Sequence, residues 1–486
     1  MRLFRFAGSA SIAAGLAALA GCAAPDLGPR PELATPDSFA SSKSLASGSP
    51  TSTSAPALWP AASWWRGYGD PQLDALIGEA LAGSPDIAIA AARVRTAQGA
   101  VQQQGAALLP TLDGEASAGL NKQSYNNGIP AQFIPKGWND TGRLALNAGL
   151  DLDLFGRNRA ALVAATSDAE ATRLDGAQAA LTLATDIAAR YADLARLYAE
   201  QDVLQRALAV RSASEALVNE RVAIGLDTQA ELKQARSAVP ASRVDLAANA
   251  EQIGLTKNAL AALVGAGPDR ALSITRPAQP VLVTELPADA GIALVGRRPD
   301  IAAARARAEA AASRIKVARA DFYPNISLSG LIGLQSLGLD SLFKGGSSIG
   351  TVGPAVSLPI FRGGALQGQY RQARGQYDEA VASYDRLVIL ALRDVADAVT
   401  SRRQVAIQAV DARASLIDAE GAYKVAQLRY RGGLSTFLNV LSAEEAVLMA
   451  RRSLATIEAR RFALDVQLVR ALGGGFQPNL QTSGTR

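Results

Sequence analysis

Four segments of the chain alternate apolar and polar residues with the period of a β-strand. Over 111–120, Leu112, Gly114, Ala116, Ala118 and Leu120 hold the even positions against Thr111, Asp113, Glu115 and Ser117. Over 144–154, Leu144, Leu146, Ala148, Leu150, Leu152 and Leu154 alternate with Asn147, Asp151 and Asp153. Residues 325–334 set Ile326, Leu328, Ile332 and Leu334 against Asn325, Ser327 and Ser329. Residues 352–360 set Val352, Val356, Leu358 and Ile360 against Gly353, Ala355 and Ser357. With polar loops at 121–140 and 335–348, this pattern predicts two β-hairpins. They suit either a membrane barrel or a soluble sheet with one buried face.

Between and after the hairpins the period lengthens. Residues 157–222 contain no proline and interleave Arg157, Arg159, Arg173, Arg190 and Arg196 with acids, which predicts one helix of about 100 Å at 1.5 Å per residue. A second of similar length is predicted over 364–431, with shorter return helices over 229–264 and 436–472. Helices this long imply a fibrous, coiled-coil or tubular body.

The chain also repeats itself. Ser84-Pro85-Asp86-Ile87-Ala88 returns as Arg298-Pro299-Asp300-Ile301-Ala302, and Leu154-Phe155-Gly156-Arg157 as Ile360-Phe361-Arg362-Gly363. Arg221-Val222-Ala223-Ile224-Gly225-Leu226 returns as Arg429-Tyr430-Arg431-Gly432-Gly433-Leu434. The offset of about 210 residues far exceeds solenoid periods, so one fold-sized unit has duplicated. The predicted boundaries are 59–107 for the first helices, 108–155 for the first β-hairpin and 156–264 for the first helical hairpin. An extended crossover follows at 265–298, then a helix at 299–321, the second β-hairpin at 322–362 and the second helical hairpin at 363–472. A tail occupies 473–486. Four strands cannot close a barrel and an open edge cannot face lipid, so several chains must contribute; three copies give about twelve strands.

Composition removes most enzymology. The 486 residues include no His and a single cysteine, Cys22. His-based acid–base catalysis, His or Cys metal sites, disulfides and thiol catalysis go together. We therefore expect no catalytic residue, no metal site and no cofactor. Lys and Arg number 49 against 44 Asp and Glu, with no dense basic run, which does not suggest nucleic-acid binding. Gly346-Ser347-Ser348-Ile349-Gly350 satisfies the nucleophile-elbow spacing, but it precedes a strand and the chain has no histidine base. It reads as a glycine-rich loop.

The N-terminus is an address. Arg2 and Arg5 precede an apolar run from Ala7 to Ala20, the pattern of a signal peptide over 1–21. The run ends Leu19-Ala20-Gly21-Cys22, which resembles the lipobox of bacterial lipoproteins, whose cysteine is acylated. Ala23 stands where an Asp favours inner-membrane retention in known lipoproteins, so the outer membrane is expected. Residues 22–58 are rich in Ser, Thr, Ala and Pro, as a flexible lipidated tether requires. No later stretch has about eighteen consecutive apolar residues, so no helix is predicted to cross a bilayer. The signal tips the sheet reading toward a membrane barrel.

Taken in order, these motifs resemble the outer membrane factor family, the TolC/OprM-type channels of tripartite efflux and type I secretion, in its lipoprotein branch. The likeness covers essentially the whole mature chain, from Trp64-Trp65-Arg66-Gly67-Tyr68-Gly69-Asp70-Pro71 through both Pro-Asp-Ile helix openings to both inter-helix turns. The resemblance implies a mixed α and β membrane protein. Three chains would form a homotrimer with a 12-stranded barrel, four strands each, continued by a periplasmic helical barrel. Its partners would be a periplasmic adaptor, an inner-membrane transporter and outer-membrane lipid.

It also implies roles at the helical tip. Gly225, Leu226, Gly432, Gly433 and Leu434 match turns that contact the adaptor. Tyr430 matches a gate tyrosine, Glu231 its acidic partner in a hydrogen bond that holds the resting state closed, and Leu438 a constricting leucine. Asn439 and Ser442 depart from the aspartates common there. Packing is the competing role for Tyr430 and Leu438. Strand parity, independent of any family, puts Asp113, Glu115, Asp151 and Asp153 on the lumen face near the periplasmic rim, where they would favour cations. The alternative function is a lipid-anchored periplasmic helical scaffold without channel activity; channel conductance separates the two.

Overall fold

The computed structural model describes residues 25–35, 38–39, 59–126, 128–278, 286–287, 294 and 296–477. The signal peptide and Cys22 lie outside them, as do parts of the crossover and the tail. After a 3-10 turn at Trp64–Tyr68, the elements run α1 (Pro71–Gly83), α2 (Pro85–Ala106), β1 (Thr111–Asn121) and β2 (Asn139–Asp151). Then come α3 (Arg157–Ala223), α4 (Gln229–Leu263), α5 (Pro299–Ala320), β3 (Asn325–Leu337), β4 (Ser348–Ser357), α6 (Ala365–Arg431) and α7 (Phe437–Ala471). The two long helical hairpins repeat exactly in length. α3 and α6 have 67 residues each, and α4 and α7 have 35.

Local rules account for the helix starts. Asp70 caps α1, accepting from the Gln72 and Leu73 backbone N–H groups at 2.9 and 3.3 Å, and Pro71 holds the first helical position. Ser84 opens α2, its hydroxyl accepting from the Asp86 backbone N–H at 3.3 Å.

The chain divides into two compact units. One gathers the described residues of 93–172 and 303–384 with those through 33; the other gathers the described residues of 34–92, 173–302 and 385–477. The first holds a four-stranded antiparallel sheet in the order β1-β2-β3-β4, with β1 and β4 at its edges. β1 and β3 begin where the alternation predicts, at 111 and 325, but the second strand of each hairpin sits earlier: β2 covers 139–151 rather than 144–154, and β4 covers 348–357 rather than 352–360.

The second unit has a core of large side chains. Trp64, Tyr68, Leu73, Leu76, Ile77, Ile187, Tyr191 and Phe462 are all buried there. Tyr191 donates to Asp70 at 2.6 Å, and Tyr68 donates to Asp465 at 2.9 Å, so each buried hydroxyl has an acceptor.

One stretch bears on the expectation that no helix crosses a bilayer. Within residues 71–106 an 18-residue window is apolar enough by composition to do so, with mean hydropathy 1.3. Alanine supplies much of that value, Ser84 breaks the stretch in two, and the large apolar side chains of α1 are buried in the second unit's core. It is a core helix followed by an exposed one. The expected tether is not wholly free. Arg374, buried on α6, donates to the carbonyls of Gly28 (3.2 Å) and Pro29, and the Tyr377 hydroxyl donates to the Pro31 carbonyl at 2.9 Å. An extended segment without secondary structure satisfies its carbonyls on side chains of a neighbouring helix.

Candidate functional site

The two helical hairpins turn in the same way. At the first, Gly225 has φ +73°, its N–H donates to the Val222 carbonyl at 3.1 Å, and the Leu226 N–H donates to the Arg221 carbonyl at 2.8 Å. At the second, Gly433 has φ +70°, its N–H donates to the Tyr430 carbonyl at 3.0 Å, and Leu434 donates to the Arg429 carbonyl at 2.8 Å. These are paired Schellman closures, and only glycine takes the left-handed position without strain. Leu226 and Leu434 are left 61% and 73% exposed, pointing off turns where an apolar side chain has nothing of its own chain to cover it. Gly432 is also exposed.

Behind the turns lies a small core: Val218, Leu232, Ala235, Tyr430, Phe437 and Val440 are buried together. Tyr430 is only 1% exposed, yet its hydroxyl finds a charged partner. It donates to Asp227 Oδ2. Arg221 donates to the same oxygen through Nε at 2.9 Å, and its guanidinium lies 4.5 Å from the centre of the Tyr430 ring. Burial first, and then the bond to Asp227, push the Tyr430 hydroxyl above its ordinary value, while Arg221 pulls the other way. Asp227 holds the Arg221 guanidinium above its usual range. The result is a buried triad in which one carboxylate serves a cation and a phenol.

This corrects the expected pair. Within the chain Tyr430 binds Asp227, not Glu231. Glu231 is the third residue of α4, and its carboxylate turns back to accept the Thr228 backbone N–H at 2.7 Å. That contact satisfies one of the open donors at a helix start, and it ties the side chain to its own helix. Asp227 and Arg221 were missed by sequence reasoning. The signal available was local: Asp227 sits between a Gly-Leu turn and a Thr-x-x-Glu cap, whereas the second repeat has Ser435 there. Leu438 is 63% exposed and Asn439 is exposed beside it, on the first turn of α7, while the neighbouring Phe437 is the buried anchor.

The sheet has two unlike faces. The register pairs Leu112 with Ala148, Gly114 with Leu146, Ile326 with Val356 and Gly330 with Val352, so the even positions share a face. That face is apolar and open to its surroundings: Leu112 is 69% exposed, Ile332 69% and Val352 82%. Large exposed aromatics lie beyond the strands, with Trp138 and Phe343 on the loop side and Phe155 and Phe361 on the other. An apolar band between aromatic residues is the outer surface of a membrane barrel.

The odd positions form the polar face, pairing Asp113 with Asn147 and Asp151 with Ser327. Glu115 lies 3.8 Å from the Arg143 guanidinium and accepts weakly from Asn147 at 3.5 Å. Parity reasoning thus gathers Asp113, Glu115 and Asp151 on one face, but it overlooked Arg143 among them. Asp153 does not join them. It follows the strand at φ +46°, is 7% exposed, and accepts from the backbone N–H groups of Asn158 (2.8 Å) and Arg159 (3.0 Å) at the start of α3. Burial opposes its ionisation, but those donors and the Arg159 guanidinium together hold the Asp153 carboxyl below the usual carboxylate range. It is a helix cap.

Among the described residues no group of three or more potential metal ligands occurs. The model of the family "Outer membrane efflux protein" matches residues 76–266 and 293–474. The multidrug resistance outer membrane protein MdtP of Escherichia coli K12 is 33% identical over 427 residues, covering 86% of this chain and 87% of its own. Among solved structures, the outer membrane protein VceC of Vibrio cholerae superposes with a TM-score of 0.81 at 45% identity, over 86% of this chain and all of that one. The CmeC outer membrane channel of Campylobacter jejuni gives 0.82 at 25% identity, over 95% and 96%. The chain belongs to the outer membrane efflux protein family, and it is an outer-membrane channel component of an efflux system rather than a scaffold.

Proposed function

We propose that three copies close their sheets edge to edge into a passive conduit, opened by a periplasmic adaptor that docks on the two hairpin turns and links the channel to an inner-membrane transporter. The observation that carries this is the sheet itself. Its outer strands have open edges, and its apolar face is left bare. Both defects vanish only when several copies close a barrel in lipid. Closure puts the odd face, with Asp113, Glu115 and Asp151, around the pore.

Adaptor contact falls on Gly225, Leu226, Gly432, Gly433 and Leu434, where exposed leucines stand on rigid turns. Tyr430, Asp227 and Arg221 hold the tip in its resting packing. A phenol bonded to a carboxylate is worth about 1.5–3 kcal/mol, and three copies bias opening by a few times that. Leu438 and Asn439 line the resting constriction, and Glu231 acts by fixing the α4 start rather than by pairing with Tyr430. Cys22 carries the lipid. The resistance role named for MdtP makes small organic compounds the first cargo to test.

Planar-bilayer recording of the detergent-purified protein tests the reading. A trimer with ion conductance is expected, and Tyr430→Phe is expected to raise resting conductance. A protein that stays monomeric and non-conducting overturns the conduit; unchanged conductance in a folded Tyr430→Phe trimer leaves that residue to packing alone. Fatty-acid labelling lost in Cys22→Ser supports the anchor, and label retained on the serine variant removes it.

A further inference from the structure

Two turns into α7, inside the second unit, the helices α3, α6 and α7 surround a cavity of about 240 Å³. Val203 and Ala207 of α3 and Val447 and Leu448 of α7 give it apolar walls. Tyr423 lines it from α6, and at the rim Arg451 donates to Glu420 through Nε at 3.0 Å and Nη2 at 2.6 Å. Val210 adds to the apolar wall, and the last lining residue is set among these apolar side chains. Glu444 is a carboxylate whose side chain is 9% exposed.

Glu444 is half satisfied. Its Oε1 accepts from Arg211 Nε at 3.1 Å, while Oε2 is buried without a hydrogen-bond partner among the described residues. Arg211 is already committed, since its Nη1 donates to Ser242 at 2.8 Å. Burial pushes the Glu444 carboxyl above its usual range, Arg211 draws it back, and the adjacent Glu445 pushes it up again. The unmet need around the cavity is a donor rather than a charge. Glu420 is matched by Arg451 and Glu444 Oε1 by Arg211, so the ion pairs use every donor at hand and leave Glu444 Oε2 without one. A donor that carries charge suits a carboxylate oxygen best.

We propose that this cavity is a binding site for a small amphiphilic organic cation, a primary ammonium on a compact apolar body. The ammonium donates to Glu444 Oε2, supplying the donor that a buried acceptor requires. The body packs against the aliphatic walls, and the Tyr423 ring adds a face suited to a cation. A free inorganic cation is a poorer match, because one carboxylate oxygen among aliphatic walls cannot replace a hydration shell. The site lies in the wall of one chain. It is independent of whether the assembled protein conducts.

Benzylammonium is the probe, titrated calorimetrically into the full-length protein in detergent, with benzyl alcohol as its neutral isostere. Saturable binding at one site per chain is expected, weakened about tenfold or more in Glu444→Gln, because a charge-assisted bond becomes a clash of donors. Benzyl alcohol is expected neither to bind there nor to compete. A second variant, Ala207→Leu, fills the cavity from α3 without touching the ion pair, and it too should abolish binding. Absence of a saturable site, equal binding by benzyl alcohol, or undiminished binding in either folded variant overturns the proposal.

Discussion

In the sheet and again at the helical turns, the first repeat carries carboxylates where the second carries hydroxyls or an amide. Asp113 and Glu115 answer to Ser327 and Ser329, Asp151 to Ser357, Asp227 to Ser435 and Glu231 to Asn439. The backbone did not diverge with the chemistry. Both turns close with the same pair of hydrogen bonds, to within 0.1 Å, around a glycine at φ +73° or +70°. Turn shape depends on one residue that tolerates positive φ and on the last carbonyls of a helix, none of which constrains the side chains behind. Charge could therefore settle on one half alone. The same holds one step along the hairpins. Arg236 and Glu215 form an exposed pair at 3.7 Å in the first repeat, and their counterparts, Glu444 and Tyr423, line a cavity in the second.

The largest effect should separate the two turns. Asp227→Ala leaves the buried Tyr430 and the half-buried Arg221 without their shared acceptor and should cost about 2–3 kcal/mol. Ser435→Ala should change stability by no more than about 0.5 kcal/mol, since its hydroxyl has no hydrogen-bond partner among the described residues. Thermal unfolding of the purified variants measures both, and similar losses at the two positions would refute the asymmetry.

The next effect should unite them. Gly225→Val and Gly433→Val force a β-branched residue into left-handed backbone, and each should cost about 1–2 kcal/mol by the same assay. Unequal losses would mean that the turns differ in more than side chains.

A third comparison concerns the entries to the long helices, where Asp153 caps α3 and Pro359 stands at the corresponding place before α6. Asp153→Ala should cost about 0.5–2 kcal/mol. Because folding lowers the Asp153 pKa, its contribution is present above its ordinary value of 3.8 and is lost as pH falls through the folded value. Acid-unfolding curves of wild type should therefore steepen below about pH 4 relative to the alanine variant, and parallel curves would remove the cap.

The smallest effect is on ion preference. The Asp113→Asn/Asp151→Asn double variant should reduce cation selectivity, read as reversal potential across a salt gradient. The preference should fade with ionic strength, because screening acts over about 8–10 Å. Arg143 limits the effect. An anion-selective wild-type channel, or a variant indistinguishable from it, counts against the charged ring.

Much of this was legible in the chain because the signals are local and periodic. Alternation marked one apolar and one polar face on all four strands, and the register upholds that parity across every pair. Uninterrupted helical sequence gave α3 and α6 within about a residue of their ends, since nothing but a breaker stops a long helix. Strand ends were less legible. Asp153 continued the alternation of β2, and only its positive φ and its two backbone donors reveal that the strand had already ended.

The sequence by itself therefore determined the duplication, the amphipathic strands, the helix lengths, the glycine turns and the exclusion of histidine and thiol chemistry. Each follows from one residue type or one spacing. Only the tertiary structure decided the partners. Tyr430 meets an aspartate 203 positions away, Glu231 turns back on its own helix, and Glu444 keeps one oxygen bare beside a cavity. A buried polar atom takes whichever donor or acceptor the packed helices bring within about 3 Å, and that choice is made across hairpins rather than along the chain.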